Sequence, residues 1–180
     1  MSENKNLKGF VLWFTGLSGA GKSTIADEVY KKLKKNGNKI ERLDGDVVRE
    51  SLTKGLTFSR EDRDENIRRI GFVANLLSRN GVGVIASFIS PYKHQRDELK
   101  NNVKGFIEVF VNTPLEVCEN RDVKGLYKKA RSGEIKNFTG ISDPYDAPQS
   151  PSIEIFTEKA SPDECAEKVM KYLRKEGFVS

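Results

Sequence analysis

One stretch limits the choice of fold more than any other: Gly16-Leu17-Ser18-Gly19-Ala20-Gly21-Lys22-Ser23. It has the spacing of a phosphate-binding loop, G-x-x-x-x-G-K-[ST]. Phe10-Val11-Leu12-Trp13-Phe14 before it is an apolar run of buried-strand length. Thr24 to Leu33 after it reads as a helix, with Ile25, Val29 and Leu33 on one face. The chain must therefore turn sharply from strand to helix. Gly16, Gly19 and Gly21 permit positive φ and leave no Cβ in the way, so successive N–H groups can face one anion. The helix N-terminus adds its partial positive charge there. Lys22 is expected to reach the β- and γ-phosphates of a nucleotide, and the Ser23 hydroxyl to ligate Mg²⁺. The alternative is a glycine-rich turn that matches by accident, which the flanking strand and helix argue against.

A chain of 180 residues suits one domain, 1–180, with a sizeable core. No apolar run approaches membrane-spanning length. Met1 to Lys8 is polar and lacks the apolar centre of a signal peptide. Cys118 and Cys165 have no metal-type spacing, so a reducing, cytoplasmic setting is expected. Thirty-one basic residues against twenty-six acidic ones give a net charge of +5. Nucleic acid, a small polyanionic substrate with ATP, or an ordinary solvated surface would each account for that excess. The basic residues are not interleaved with aromatics as in single-strand binders, so no nucleic-acid partner is expected.

Along the chain, strands and helices alternate. Lys39–Leu43 is a second strand that delivers Asp44-Gly45-Asp46, and Val47–Leu52 a helical turn or two. Ser59-Arg60-Glu61-Asp62 has capping-box form and opens a long helix through Leu77. Val82–Ala86 and Phe106–Val111 are further strands, and Ile153–Phe156 is the last. Ser90-Pro91 and Thr113-Pro114 both read as helix cap plus first-turn proline, and Ser161-Pro162 caps the final helix. From Arg121 to Pro151 the chain is polar and loop-rich, which predicts a mobile flap with one short helix near Leu126–Arg131. Five alternations with right-handed crossovers imply an α/β, three-layer fold: a five-stranded parallel sheet with helices on both faces and a mobile lid. Ligands in such sheets bind beyond the carboxyl ends of the strands.

That rule gathers the candidate residues. Asp44 and Asp46 flank a glycine at a strand end. One carboxylate is expected at Mg²⁺ or its waters and the other at an attacking hydroxyl, although Asp-Gly also suits a plain turn. Arg49, Arg63, Arg68, Arg69, Lys124 and Arg131 are candidate anion clamps, with Arg68 and Arg69 better read as a solvated helix face. Arg60 lies one turn from Arg63. Phe58 and Phe138 sit in polar loops, where base stacking and anchoring on the core are both open. His94, the only histidine, reads as surface, so no histidine base is expected. A GTPase switch would need an Asn-Lys-x-Asp stretch, which is lacking, and a DNA-handling ATPase would need a further domain.

Together these residues resemble the adenylylsulfate kinase (APS kinase) family along nearly the whole chain. The likeness runs through Gly16–Thr24, Asp44-Gly45-Asp46 with Arg49, Phe58-Ser59 with Glu61-Asp62-Arg63, and Glu65–Ile70. It continues through Phe88-Ile89-Ser90-Pro91, Arg121-Asp122, Lys124–Arg131, Gly133–Lys136 and Phe138-Thr139-Gly140. The phosphate loop is common to many kinases; Phe88–Pro91 and Lys124–Arg131 are the specific part. The resemblance implies transfer of the ATP γ-phosphoryl to the 3′-hydroxyl of adenosine 5′-phosphosulfate (APS), giving ADP and 3′-phosphoadenosine 5′-phosphosulfate (PAPS) in sulfate assimilation. It implies ATP contacts from Gly16, Leu17, Ser18, Gly19, Ala20, Gly21, Lys22, Ser23, Thr24 and Arg121, the last against the adenine. It puts Asp46, Arg49, Arg63, Asn66, Ile89, Ser90, Lys124 and Asn137 at the APS site, with Phe58 and Phe138 stacking on its adenine. Mg²⁺ with ATP is the implied cofactor, held by Ser23 and, through water, Asp44. Lys22, Asp46 and Asp44 are the catalytic set. Ser90 is described in the family as a possible phosphoserine. Its neighbours Ile89, Pro91 and Tyr92 supply no base, although a distant carboxylate such as Asp46 could, so direct in-line transfer is expected, with Ser90 as a binding and capping residue. The pattern departs at Val47, where Asn is usual, and at Thr57, where Gly is common. The implied assembly is a stand-alone homodimer with no nucleic acid and no membrane. A nucleoside-monophosphate or sugar-acid kinase is the same-fold alternative.

Overall fold

The structure, a computed structural model, describes residues 8–180 apart from the side chain of Asp46. The expectation of a polar N-terminus falls largely on residues 1–7, outside the described residues. In chain order the elements are β1 (Phe10–Thr15), α1 (Lys22–Lys35), β2 (Ile40–Asp44), α2 (Gly45–Glu50), α3 (Arg60–Ser78), β3 (Gly83–Ser87), α4 (Lys93–Asn102), β4 (Phe106–Val111), α5 (Leu115–Arg121), α6 (Leu126–Arg131), β5 (Ile153–Ile155) and α7 (Pro162–Lys175).

The strands form one parallel sheet in the order β2-β3-β1-β4-β5. β1 is central, and all of its residues are buried, as a strand covered on both faces requires. Its alternation divides the core. Leu12 and Phe14 pack with Ile25, Val29 and Leu33 of α1 and Val169 and Leu173 of α7. Val11 and Trp13 pack with Ile67, Ile70 and Ala74 of α3 and Leu99 of α4. The three layers follow from that split. None of the described helices is long and apolar enough to cross a membrane.

Two caps differ from expectation. Ser90 does not cap α4. Its φ is +41°, and its hydroxyl turns inward to accept from Trp13 Nε1 at 3.0 Å. The helix instead opens at Lys93 after an extended Tyr92. Gln95 Oε1 accepts from the Tyr92 N–H at 3.3 Å and the Asp146 carboxylate from the Lys93 N–H at 3.0 Å, so the first donors are already matched. Nor does Thr113 cap α5. Pro114 holds the cap position, and Thr113 Oγ1 donates to the Ala20 carbonyl at 3.0 Å. Ser161 does cap α7, accepting from the Glu164 N–H. Ser59 caps α3, accepting from the Asp62 N–H at 3.1 Å; its own N–H donates to Thr57 Oγ1 at 3.2 Å, and the Asp62 carboxylate accepts from the Thr57 N–H at 2.7 Å.

Candidate active site

Between β1 and α1 the chain winds through Gly16, Gly19 and Gly21, at φ +148°, +74° and +103°. A Cβ on Gly16 would lie 2.6 Å from the Val111 carbonyl, so close packing on β4 demands glycine there. Every carbonyl from residue 16 to residue 20 has a side-chain donor. Lys22 Nζ donates to Gly16 O at 3.0 Å and to Leu17 O at 2.7 Å. Tyr127 OH donates to Ser18 O at 2.8 Å, Arg121 Nη1 to Gly19 O at 3.2 Å, and Thr113 Oγ1 to Ala20 O at 3.0 Å. With its carbonyls so engaged, the loop can turn N–H groups toward an anion, while the Ala20 N–H donates to Leu17 O at 3.2 Å. Lys22 is buried, and that burial lowers its pKa to about 8. A polyphosphate beside it would restore the charged form. Ser23 and Thr24 are exposed at the start of α1.

Asp44 ends β2 at the same edge. Its Oδ2 accepts from the Ser23 hydroxyl at 3.3 Å and from Arg42 Nη2 at 3.1 Å. Arg42 also donates to Ser87 Oγ at 3.0 Å and to Asp27. One guanidinium therefore ties β2, β3 and α1 around the carboxylate. The sequence reading passed over Arg42, although it lies two residues from Asp44 and so on the same strand face. A hydroxyl and a carboxylate in contact at a phosphate loop are the hard oxygen donors that suit Mg²⁺, so these residues fit that ion. The side chain of Asp46 lies outside the described residues.

The opposite wall is gathered from α2, α3 and the 121–151 segment. Arg63 crosses between them. Its Nε donates to Phe58 O at 3.0 Å, its Nη1 to Thr139 Oγ1 at 2.6 Å and its Nη2 to Asn137 O at 2.5 Å. The residue expected as an anion clamp thus also joins the Phe58 turn to the Asn137–Thr139 turn. Phe58 is 61 % exposed, with the Arg49 guanidinium 4.5 Å from its ring centre. Phe138 is half-buried, edge-on to Tyr127 with centroids 5.0 Å apart. One ring therefore fits the open stacking role, and the other also anchors. Asn66 is buried, and its Oδ1 has no hydrogen-bond partner among the described residues. An orphaned buried acceptor is costly unless a ligand satisfies it.

Other candidates separate. Arg131 forms a two-pronged pair with Glu119 at 2.7 and 2.9 Å, which explains it without a ligand. Arg68 and Arg69 both bind Glu65, as a solvated helix face would. Arg60 stacks on Tyr92, its guanidinium 4.6 Å from the ring centre. His94 is exposed beside Asp64. Arg121 lies against the phosphate loop and also reaches Thr157 Oγ1 at 3.1 Å. Lys124 is exposed just before α6.

The 121–151 segment carries α6 where the short helix is expected. It is also docked at several points that composition does not reveal. Asp122 caps α6 through the Tyr127 and Lys128 N–H groups, and Tyr127 is buried against the loop. Near its far end Tyr92 OH donates to Asp143 Oδ2 at 2.9 Å.

Beneath that end lies a hydroxyl chain. Trp13 Nε1 donates to Ser90 Oγ, which donates to Thr15 Oγ1 at 3.1 Å, which donates to Ile89 O at 2.6 Å. Tyr145 OH, 2.9 Å from Thr15 Oγ1, must then be the donor in that pair. Ile89 and Ser90 thus follow the end of β3, with the serine hydroxyl engaged on both sides and, among the described residues, no carboxylate hydrogen-bonded to it.

A family model described as adenylylsulphate kinase matches residues 8–156. The chain is 57 % identical over 176 residues to an adenylyl-sulfate kinase of Halothermothrix orenii, covering 98 % of this chain and 95 % of that one. It is 58 % identical over 173 residues to one from a Picosynechococcus species, at 96 % and 98 % coverage. Among solved structures, an APS kinase of Mycobacterium tuberculosis in complex with AMPPNP and APS superposes with a TM-score of 0.89 at 44 % identity, over 93 % of this chain and 98 % of that one.

Proposed function

The chain belongs to the adenylylsulphate kinase family, and on that premise we propose that it moves the γ-phosphoryl group of ATP to the 3′-hydroxyl of APS, giving ADP and PAPS. The observation that carries the reading is the pairing of two walls. A phosphate loop whose carbonyls from 16 to 20 are each held by a side-chain donor lies on one side. Two phenylalanine turns joined by Arg63 lie on the other.

The reaction is one displacement. The 3′-oxygen of APS bonds to the γ-phosphorus, the bond from that phosphorus to the bridging oxygen breaks, and ADP leaves with the electron pair. Lys22 and the loop N–H groups bind the β- and γ-phosphates and offset charge that builds on the leaving oxygens. Ser23 and Asp44 would hold Mg²⁺, which when bound neutralises charge across the β- and γ-oxygens. Asp46 orients the 3′-hydroxyl and takes its proton, a role assigned from its place two residues after Asp44. The transition state is loose, so orientation contributes more than basicity. Phe58 and Phe138 stack on the APS adenine, while Arg49, Arg63, Asn66, Ile89, Ser90, Lys124 and Asn137 line the rest of that nucleotide. Arg121 packs on the adenine of ATP. The 121–151 segment acts as a lid that excludes water and protects ATP from hydrolysis.

A coupled assay of ADP release with APS, AMP, CMP, gluconate and shikimate as separate acceptors tests this. Turnover with APS alone is expected. Preference for a monophosphate or a sugar acid would overturn the acceptor assignment and favour the other kinases of this fold.

A further inference from the structure

We propose that Arg96 is a positioning residue that holds the Ser90 turn and the returning arm of the lid, 143–146, as one unit, and so controls APS binding without touching APS. The inference rests on the function proposed above. Arg96 sits on α4 and is only 3 % exposed. A buried arginine needs partners in fixed directions, because its guanidinium is a rigid fork of donors. Its Nε donates to Glu108 Oε1 on β4 at 3.0 Å, its Nη1 to the Ser90 carbonyl at 2.6 Å, and its Nη2 to the Asp146 carbonyl. The guanidinium carbon also lies 5.6 Å from the centre of the Tyr145 ring. Packing alone would be served as well by an apolar pair. What an apolar pair cannot do is bind two carbonyls from distant segments at once.

Both segments need such a hold. Ser90 has φ +41°, a conformation that a residue with a Cβ keeps only when its surroundings impose it. The arm is an irregular stretch with no ladder of its own, and it is stitched to the residues after Ser90. The Asp146 N–H donates to Pro91 O at 2.8 Å, and the Asp146 carboxylate accepts from the Lys93 N–H. Asp143 Oδ2 accepts from Tyr92 OH and, at 3.3 Å, from Arg63 Nη1. A continuous path therefore runs from Arg96 through the arm to Arg63 and the two phenylalanine turns. These bonds end outside residues 16–24, and the nearest link to the phosphate loop is Thr15, which meets both Ser90 Oγ and Tyr145 OH, so ATP binding should be affected less than APS binding.

The test compares wild type with Arg96→Met, Arg96→Lys and Glu108→Gln. Calorimetry measures ADP and APS binding, and hydrogen–deuterium exchange follows 89–93 and 143–146. In both Arg96 variants APS is expected to bind about tenfold or more weakly, as misplacement of a site wall allows, with ADP binding little changed. Exchange in the two segments should rise together. Glu108→Gln still accepts from Arg96 Nε, so APS binding should stay near wild type. Should Arg96→Met fail to fold, Arg96→Lys decides, since lysine keeps the charge but lacks the planar fork whose two separate nitrogens reach the two carbonyls. Unchanged APS binding in folded Arg96→Lys, or equal weakening of ADP and APS, would overturn the proposal. If wild type itself does not bind APS, the functional reading fails. Exchange then judges Arg96 alone: faster exchange in both segments upholds its role, and no change removes it.

Discussion

The two walls of the site are built in opposite ways. The phosphate-loop wall, the donor side of the proposed reaction, is one run of consecutive residues, with its carbonyls restrained by Lys22, Tyr127, Arg121 and Thr113. The acceptor wall is assembled from residues far apart in the chain and held by side chains. Arg63 spans to Asn137, Arg96 to Asp146, and Thr15 to Ile89. The backbone course of that cradle is set locally by β1, the glycines and α1, and distant side chains then hold its carbonyls. A side-chain frame depends on every strut, and one of its rings, Phe58, stands largely in solvent. Damage to the first should remove chemistry while sparing the fold. Damage to the second should change which ligand binds, and how tightly.

The largest expected effect is on the donor wall. Lys22→Ala should keep the fold and lose at least about 100-fold in turnover, the scale seen when one preorganised charge-stabilising donor is removed. Turnover with APS and a melting curve check it; near-normal turnover in a folded variant would erase the contrast. Next come the rings. Phe58→Ala and Phe138→Ala should each weaken APS binding by roughly 1–3 kcal/mol and leave ATP binding alone. Only Phe138→Ala should also lower the melting temperature, because its ring packs on Tyr127 whereas Phe58 is exposed. Equal losses for ATP and APS, read by calorimetry, would mean that the acceptor wall is not separate.

A smaller effect is expected at Ser90. Ser90→Ala leaves Trp13 Nε1 without its acceptor and should cost about 1 kcal/mol of stability, with substantial turnover retained. Mixing the wild type with ATP alone and quenching within one turnover should yield no phosphate on Ser90. Stoichiometric phosphoserine that passes on to APS would replace direct transfer with a two-step route. The smallest effect is a fraction of a proton. Lys22 titrates near about 8 in the free protein because burial disfavours its charge, and bound phosphates favour that charge. Nucleotide binding should therefore take up protons, more at pH values above 8 than at neutrality. Calorimetry in buffers of different ionisation enthalpy reads this, and proton release on binding would contradict it.

Much of the donor wall could be read from residue order because its signals are local. Apolar runs locate the strands, glycines locate the turn, and the lysine and serine follow directly. The parallel sheet follows from alternation, and its helices match the expected positions closely. The cap misreadings at Ser90 and Thr113 share one cause. A serine or threonine before proline is a sound local signal for a cap, but each hydroxyl had a stronger partner from another part of the chain: Trp13 for Ser90, the Ala20 carbonyl for Thr113. Tyr127 carries no local signal beyond the resemblance of its stretch, and its bond to Ser18 O crosses more of the chain than any periodicity covers.

Residue order alone therefore determined the strand–loop–helix unit, the layered α/β fold and the chemical type of the ligand, since each depends on spacing within a few residues. Tertiary structure decided which side chains hold the loop's carbonyls, that Arg42 ties the Asp44 strand to Ser87, that Arg63 joins two turns, and that Arg96 joins the Ser90 turn to Asp146. Those bonds exist because β1 is central in the sheet, between β3 and β4, which brings the ends of several strands and the returning 143–146 arm over one edge. A hydrogen bond between residues dozens of positions apart depends on that closure and leaves no trace in local composition.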